Sequence, residues 1–152
     1  IAVKGLTGGH SGMDIHKGLG NANTIMNRVL FDGFENFGLR ISEIDGGSLR
    51  NAIPRESKAL FVIDAVHEAV FLYEMKTLAD EIKTELKTME PDLVIEVSKI
   101  DTPNKIMDLG YSLQSELILA SQVEPGYERI VDIPNVENLA RLLIFICNYL
   151  FP

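Results

Sequence analysis

Gly5-Leu6-Thr7-Gly8-Gly9-His10-Ser11-Gly12-Met13-Asp14-Ile15-His16-Lys17-Gly18-Leu19-Gly20-Asn21-Ala22-Asn23 holds six of the twelve glycines and two of the three histidines in the chain. The stretch separates an alternating start from a helical pattern, and the order of elements is counted from it. Glycines packed this densely imply positive φ values or close approach to another group. Loops of that kind are where reactive side chains are presented, and His10 is the first candidate.

On the N-terminal side, Ile1, Val3 and Gly5 alternate with Ala2, Lys4 and Leu6, which predicts a short strand. On the C-terminal side, Ala22, Ile25, Met26, Val29, Leu30 and Phe34 recur at helical spacing. Asn21 or Asn23 can cap this helix, and Gly33 and Gly38 bracket its end. Leu39 to Ile44 reads as a second strand, and Asp45-Gly46-Gly47-Ser48 as a turn or bulge. Leu49 to Pro54 reads as an edge or loop, because Pro54 has no N–H for a ladder. Ala59 to Ile63 is apolar on both faces and reads as a central strand.

Asp64 then caps a long helix with an expected buried stripe of Val66, Ala69, Val70, Tyr73, Leu78, Ala79, Ile82, Leu86 and Met89. Glu90-Pro91-Asp92 breaks it. Leu93 to Ile100 reads as a strand, with Leu93, Ile95 and Val97 on one face. Thr102-Pro103 opens a further helix running to about Ala120. Tyr127 to Ile133 reads as a last strand. The expected class is α+β: a ferredoxin-like β-α-β-β-α-β two-layer sandwich with an extra α-β extension. The apolar tail Leu139 to Leu150 fits a helix or a strand equally well.

At 152 residues the chain reads as one domain. Its net charge of −8 argues against nucleic acid or an anionic membrane as a partner. The single cysteine, Cys147, lies in an apolar run and reads as buried filler, which fits a reducing, cytoplasmic setting. The chain starts at Ile1 without Met and reads as a piece of something longer. No apolar run approaches the ~20 residues of a membrane span.

The glycine spacing does not match a dinucleotide fingerprint, since position 23 is Asn23, and no Gly-Lys-Ser/Thr follows for a phosphate loop. Ser11 beside His10 is not a nucleophile-base pair, because sequence neighbours do not face each other. His10, Asp14 and His16 are zinc-ligand types, but a fourth ligand is missing. His10 can also donate to charge that develops in a reaction built by other residues. A loop histidine with satisfied hydrogen bonds and no chemistry is the plainer alternative.

Two motifs carry a resemblance. Gly8-Gly9-His10-Ser11-Gly12, continuing through Ile15-His16-Lys17-Gly18 to Gly20-Asn21-Ala22-Asn23, resembles a segment of the aminoacyl-histidine (Xaa-His) dipeptidases. These are cytosolic dinuclear zinc peptidases related to carnosinase, glutamate carboxypeptidase and aminoacylase. Gly46-Gly47-Ser48-Leu49-Arg50-Asn51-Ala52-Ile53-Pro54-Arg55-Glu56 resembles the second marker of the same segment. The likeness covers residues 1–64 closely and is carried further by element order alone.

The resemblance implies a lid, or dimerisation, domain over residues 1–138, followed by an apolar tail at 139–152. In the family, two zinc ions sit in a separate catalytic domain, bound by a His-x-Asp pair and a Glu-Glu pair. Neither pair occurs here. The implied roles are His10 as donor to the substrate oxyanion, with Asn51 and Arg50 facing the substrate. The implied partners are a dipeptide, the chain's own catalytic domain and, in many relatives, a second subunit. The isolated piece is expected to be inactive. The reading that competes with this is a stand-alone ferredoxin-like module that binds a ligand or dimerises without a catalytic role.

Overall fold

The computed structural model describes residues 1–47, 49, 51–103 and 106. The chain enters through β1 (Ala2–Lys4), whose Val3 is fully buried. The glycine stretch follows and contains β2 (Gly9–His10) and a single 3-10 turn, Ile15–Lys17, closed by left-handed Gly18. Helix α1 (Ala22–Phe37) starts at Asn21, whose side-chain oxygen accepts the N–H groups of Asn23 and Thr24 at 2.9 and 3.3 Å. Asn21 is therefore the cap. Asn23 is instead fully buried and donates through Nδ2 to the Gly46 carbonyl at 3.2 Å.

Helix α1 ends at Gly38, with φ of 61°, whose N–H reaches the Phe34 carbonyl at 3.1 Å. Gly33, expected to help end the helix, lies inside it. A Cβ there would stand 2.7 Å from Leu39 Cδ1, so this glycine makes room for the chain as it turns back.

Strand β3 (Arg40–Gly46) pairs with β5 (Ser57–Val62). Its register shifts between Ile41 and Glu43. Without that extra residue Ile41 and Ile44, three apart, would face opposite ways; with it both are buried. The strand continues through Gly46, paired with Ser57, where a turn or bulge was expected. The short β4 (Ala52–Ile53) precedes β5.

Asp64 caps a 3-10 turn, Ala65–His67, by accepting the Val66 N–H at 3.1 Å, and α2 (Glu68–Leu86) follows. Strand β6 (Val94–Glu96) is shorter than the Leu93 to Ile100 expected, though Leu93 and Ile95 do face the core. The four-stranded sheet has the order β3-β5-β1-β6, with every pair antiparallel. This is the split βαβ arrangement expected from the sequence: α1 connects β1 to β3, and α2 connects β5 to β6. The two helices pack together, and α1 lies on β1, β3 and β5.

The phase of α2 differs from the expected stripe. Phe71, Met75, Ala79 and Ile82 are buried, and Phe71 meets Phe37 and Phe61 at ring distances of 5.3 and 5.5 Å. Val66, Val70 and Tyr73 are exposed at 75%, 54% and 69%. The helix carries two apolar stripes that merge near Ala79, and the Phe71 stripe is the one that faces the core, against Phe37 and Phe61. The helix expected beyond Pro103, the strand Tyr127 to Ile133, the boundary at 138, the tail at 139–152 and Cys147 lie outside the described residues.

Urea unfolding separates the two stripes. Ile82→Ala is expected to cost about 2–5 kcal/mol, and Val70→Ala to stay within about 0.5 kcal/mol. Equal losses would mean that both stripes are buried.

Candidate functional site: the histidine loop

The two sequence motifs meet in space. β2 pairs antiparallel with β4, placing Gly9 opposite Ile53 and His10 opposite Ala52. Ser11 donates its N–H to the Asn51 carbonyl at 2.9 Å, and Ala22 donates to the Pro54 carbonyl at 3.0 Å. The Asn23–Gly46 bond adds a further tie between the motifs. Asn51 is exposed and lies beside the His10 strand; Arg50 lies outside the described residues.

Two glycines are required for this approach. Gly5, with φ of 82°, passes so close to the Asp92 carbonyl that no side chain fits. Gly8, with φ of 65°, runs under the aliphatic stem of Arg55. Arg55 itself donates through Nε to the Leu6 carbonyl at 3.2 Å.

His10 is exposed, but its ring is fixed on one side. Nδ1 accepts the N–H groups of Gly12 and Met13 at 3.1 and 3.2 Å. A neutral imidazole whose Nδ1 accepts carries its proton on Nε2, so the group offered outward is an N–H donor. Asp14 braces the same turn. Its Oδ2 accepts the His10 N–H at 2.7 Å, its Oδ1 pairs with Lys17 Nζ at 2.7 Å, and its N–H reaches the His10 carbonyl at 2.9 Å. The Lys17 hydrogen bond first, and the His10 N–H second, hold the Asp14 carboxyl below its ordinary value.

The base of the loop is held from a distance. Glu90 is only 2% exposed. Its Oε2 accepts the Thr7 N–H at 2.7 Å and its Oε1 accepts the Gly20 N–H at 2.8 Å. No signal in the sequence marks Glu90 as part of the site. It reads as the helix break, and its partners are 83 and 70 positions away.

The His10, Asp14 and His16 side chains do not converge. Among the described residues, no group of three or more His, Cys, Asp or Glu is placed to hold a metal ion. Among the described residues, no helix is long and apolar enough to cross a membrane.

A family model described as a peptidase dimerisation domain matches residues 1–90, a span that contains both motifs and closes on Glu90. The chain belongs to this family. It is 42% identical over 95 residues to the cytosol non-specific dipeptidase of Escherichia coli strain K12, covering 62% of this chain and 20% of that protein. It also matches the crystal structure of an aminoacylhistidine dipeptidase from Vibrio alginolyticus, with a TM-score of 0.74 and 35% identity. That match covers 89% of this chain and 28% of the Vibrio chain. The chain thus spans well under a third of the relatives it resembles. The expected resemblance and the α+β class are both borne out.

The Asp14 carboxyl group, followed by the chemical shift of its carboxyl carbon, is expected to titrate below the ordinary value of about 3.9. With a lowered folded pKa, its contribution to loop order is full above the ordinary value and is lost as pH falls through the folded one. A midpoint at or above 3.9 by NMR would contradict the Lys17 pairing.

Proposed function

We propose that this chain is the lid and dimerisation domain of a cytoplasmic, metal-dependent dipeptidase resembling the Xaa-His dipeptidases. The observation that carries this reading is the fixed imidazole of His10. With Nδ1 occupied by two backbone N–H groups, Nε2–H is aimed away from the loop. It is suited to donate to a carbonyl oxygen as that oxygen gains charge. Asn51, held next to β2 by the Ser11 bond, and Arg50 would contact the rest of the dipeptide.

Two zinc ions, bound in a separate catalytic domain of the full-length enzyme, would supply water activation and carbonyl polarisation. This chain's part is to bring a donor to the substrate oxygen and to cover the site from water. The donor role needs no charge on His10, only a proton on Nε2 and a loop stiff enough to hold it. His10→Ala in the full-length protein is expected to lower kcat by roughly 10²–10³. An unchanged kcat would refute the donor role, and dipeptide hydrolysis by the isolated chain would refute the lid reading.

A dimerisation role is favoured by a separate observation, the exposed apolar face of Val66, Val70 and Tyr73 on the first turns around α2. In a homodimer, His10 could serve its own catalytic domain or the one in the partner subunit. Light scattering of the full-length protein is expected to give a dimer. A monomer that retains full activity would leave a lid serving its own site.

A further inference from the structure

This inference rests on the reading of His10 as a donor and adds what sets its position. The loop from Thr7 to Gly20 has ends that lie close together, with β2 near its start. Its ladder to β4 is two residues long, too short to define a register alone. Its remaining internal bonds, around Asp14 and His10, stiffen the turn but do not place it on the fold.

The Ser11–Asn51 bond ties the middle of the loop to the second motif, and its two ends are placed by the turn between α2 and β6. Glu90 is buried there and puts one carboxylate oxygen on each end of the loop, Oε2 on Thr7 N–H and Oε1 on Gly20 N–H. Gly20 is shaped to this contact: a Cβ would lie 3.0 Å from Glu90 Cγ and 2.7 Å from Leu6 Cδ2. Gly5 presses on Asp92 of the same turn.

We propose that Glu90 is a positioning residue for His10: its carboxylate clamps both ends of the loop, and so fixes β2 against β4 and Nε2 in space. Both bonds require an acceptor. Glutamine would turn an NH₂ donor toward one of the two N–H groups, and aspartate is too short to reach both. Glu90 is buried beneath the loop with both oxygens on backbone N–H groups, so its expected effect on the reaction passes through His10.

The test is a double-mutant cycle in the full-length protein. Glu90→Gln is expected to lower kcat by about 10–100-fold with little change in KM, as misplacement of a catalytic group does. Glu90→Asp, too short to bridge both ends, should lower kcat at least as much. In a His10→Ala background, Glu90→Gln should change kcat less than about twofold. An equal loss in both backgrounds would overturn the proposal. If His10→Ala alone leaves kcat unchanged, the donor reading and the positioning role fail together.

The clamp has its own readout, independent of activity, and its deciding arm uses the unmutated protein. Thr7 is exposed, so slow exchange of its amide reports the bond to Glu90 rather than burial. In the unmutated protein the Thr7 and Gly20 amides are expected to be protected. They should lose protection together in Glu90→Asp. Fast exchange at Thr7 in the unmutated protein would overturn the clamp whatever His10 does.

Discussion

A buried carboxylate with two backbone donors is the constraint on which the site depends. Taking a carboxylate out of water is unfavourable unless hydrogen bonds replace its hydration. Glu90 recovers that hydration from Thr7 and Gly20, one N–H for each oxygen. Hydrogen bonds to a charged group contribute about 1.5–3 kcal/mol each, against about 1 for a neutral backbone pair. The two ends of the loop are thus tied to the fold through a buried charge, whereas the Asp14 carboxylate in its middle binds only within the loop. Moving the loop off its base would leave a charge buried without partners.

The rest of the arrangement follows from where Glu90 sits. It lies just past α2, which packs on α1 and puts Phe71, Met75, Ala79 and Ile82 into the shared core. The β6 strand that follows pairs with β1, the strand from which the loop departs. The loop is therefore anchored to the strand it leaves and to the turn that leads to that strand's neighbour. The second motif closes the other side, through the β2–β4 pair and the Ser11–Asn51 bond. Within this frame, Asp14 and Lys17 hold the turn, and Gly12 and Met13 set the tautomer of His10. Packing decides location, and local hydrogen bonds decide which nitrogen faces outward.

Features with a local cause could be read from the sequence. The cap at Asn21, the stop at Gly38, the stripe of α1 and the central β5 each rest on neighbours within a turn or a strand, and each is present. The α2 stripe was legible only in its second half, because two apolar stripes share the helix and the choice between them is made by Phe37 and Phe61. Gly33 has the composition of a helix stop and serves instead as a contact with Leu39. The shift in β3 is silent in the pattern, since Ile41 and Ile44 look misplaced until one residue is looped out. The two motifs announced the site, but their meeting and the Glu90 clamp are tertiary facts with no sequence period.

The central claim is that His10 is held as a neutral donor for an oxyanion that forms elsewhere in the full-length protein. A donor of that kind should discriminate between a trigonal substrate and a tetrahedral anion. The most direct measurement is the inhibition constant of a phosphinate dipeptide analogue on the full-length protein, with and without His10→Ala. The account predicts weaker inhibition by roughly 10²–10³ in the variant, with substrate KM little changed. Equal inhibition of both proteins would contradict it.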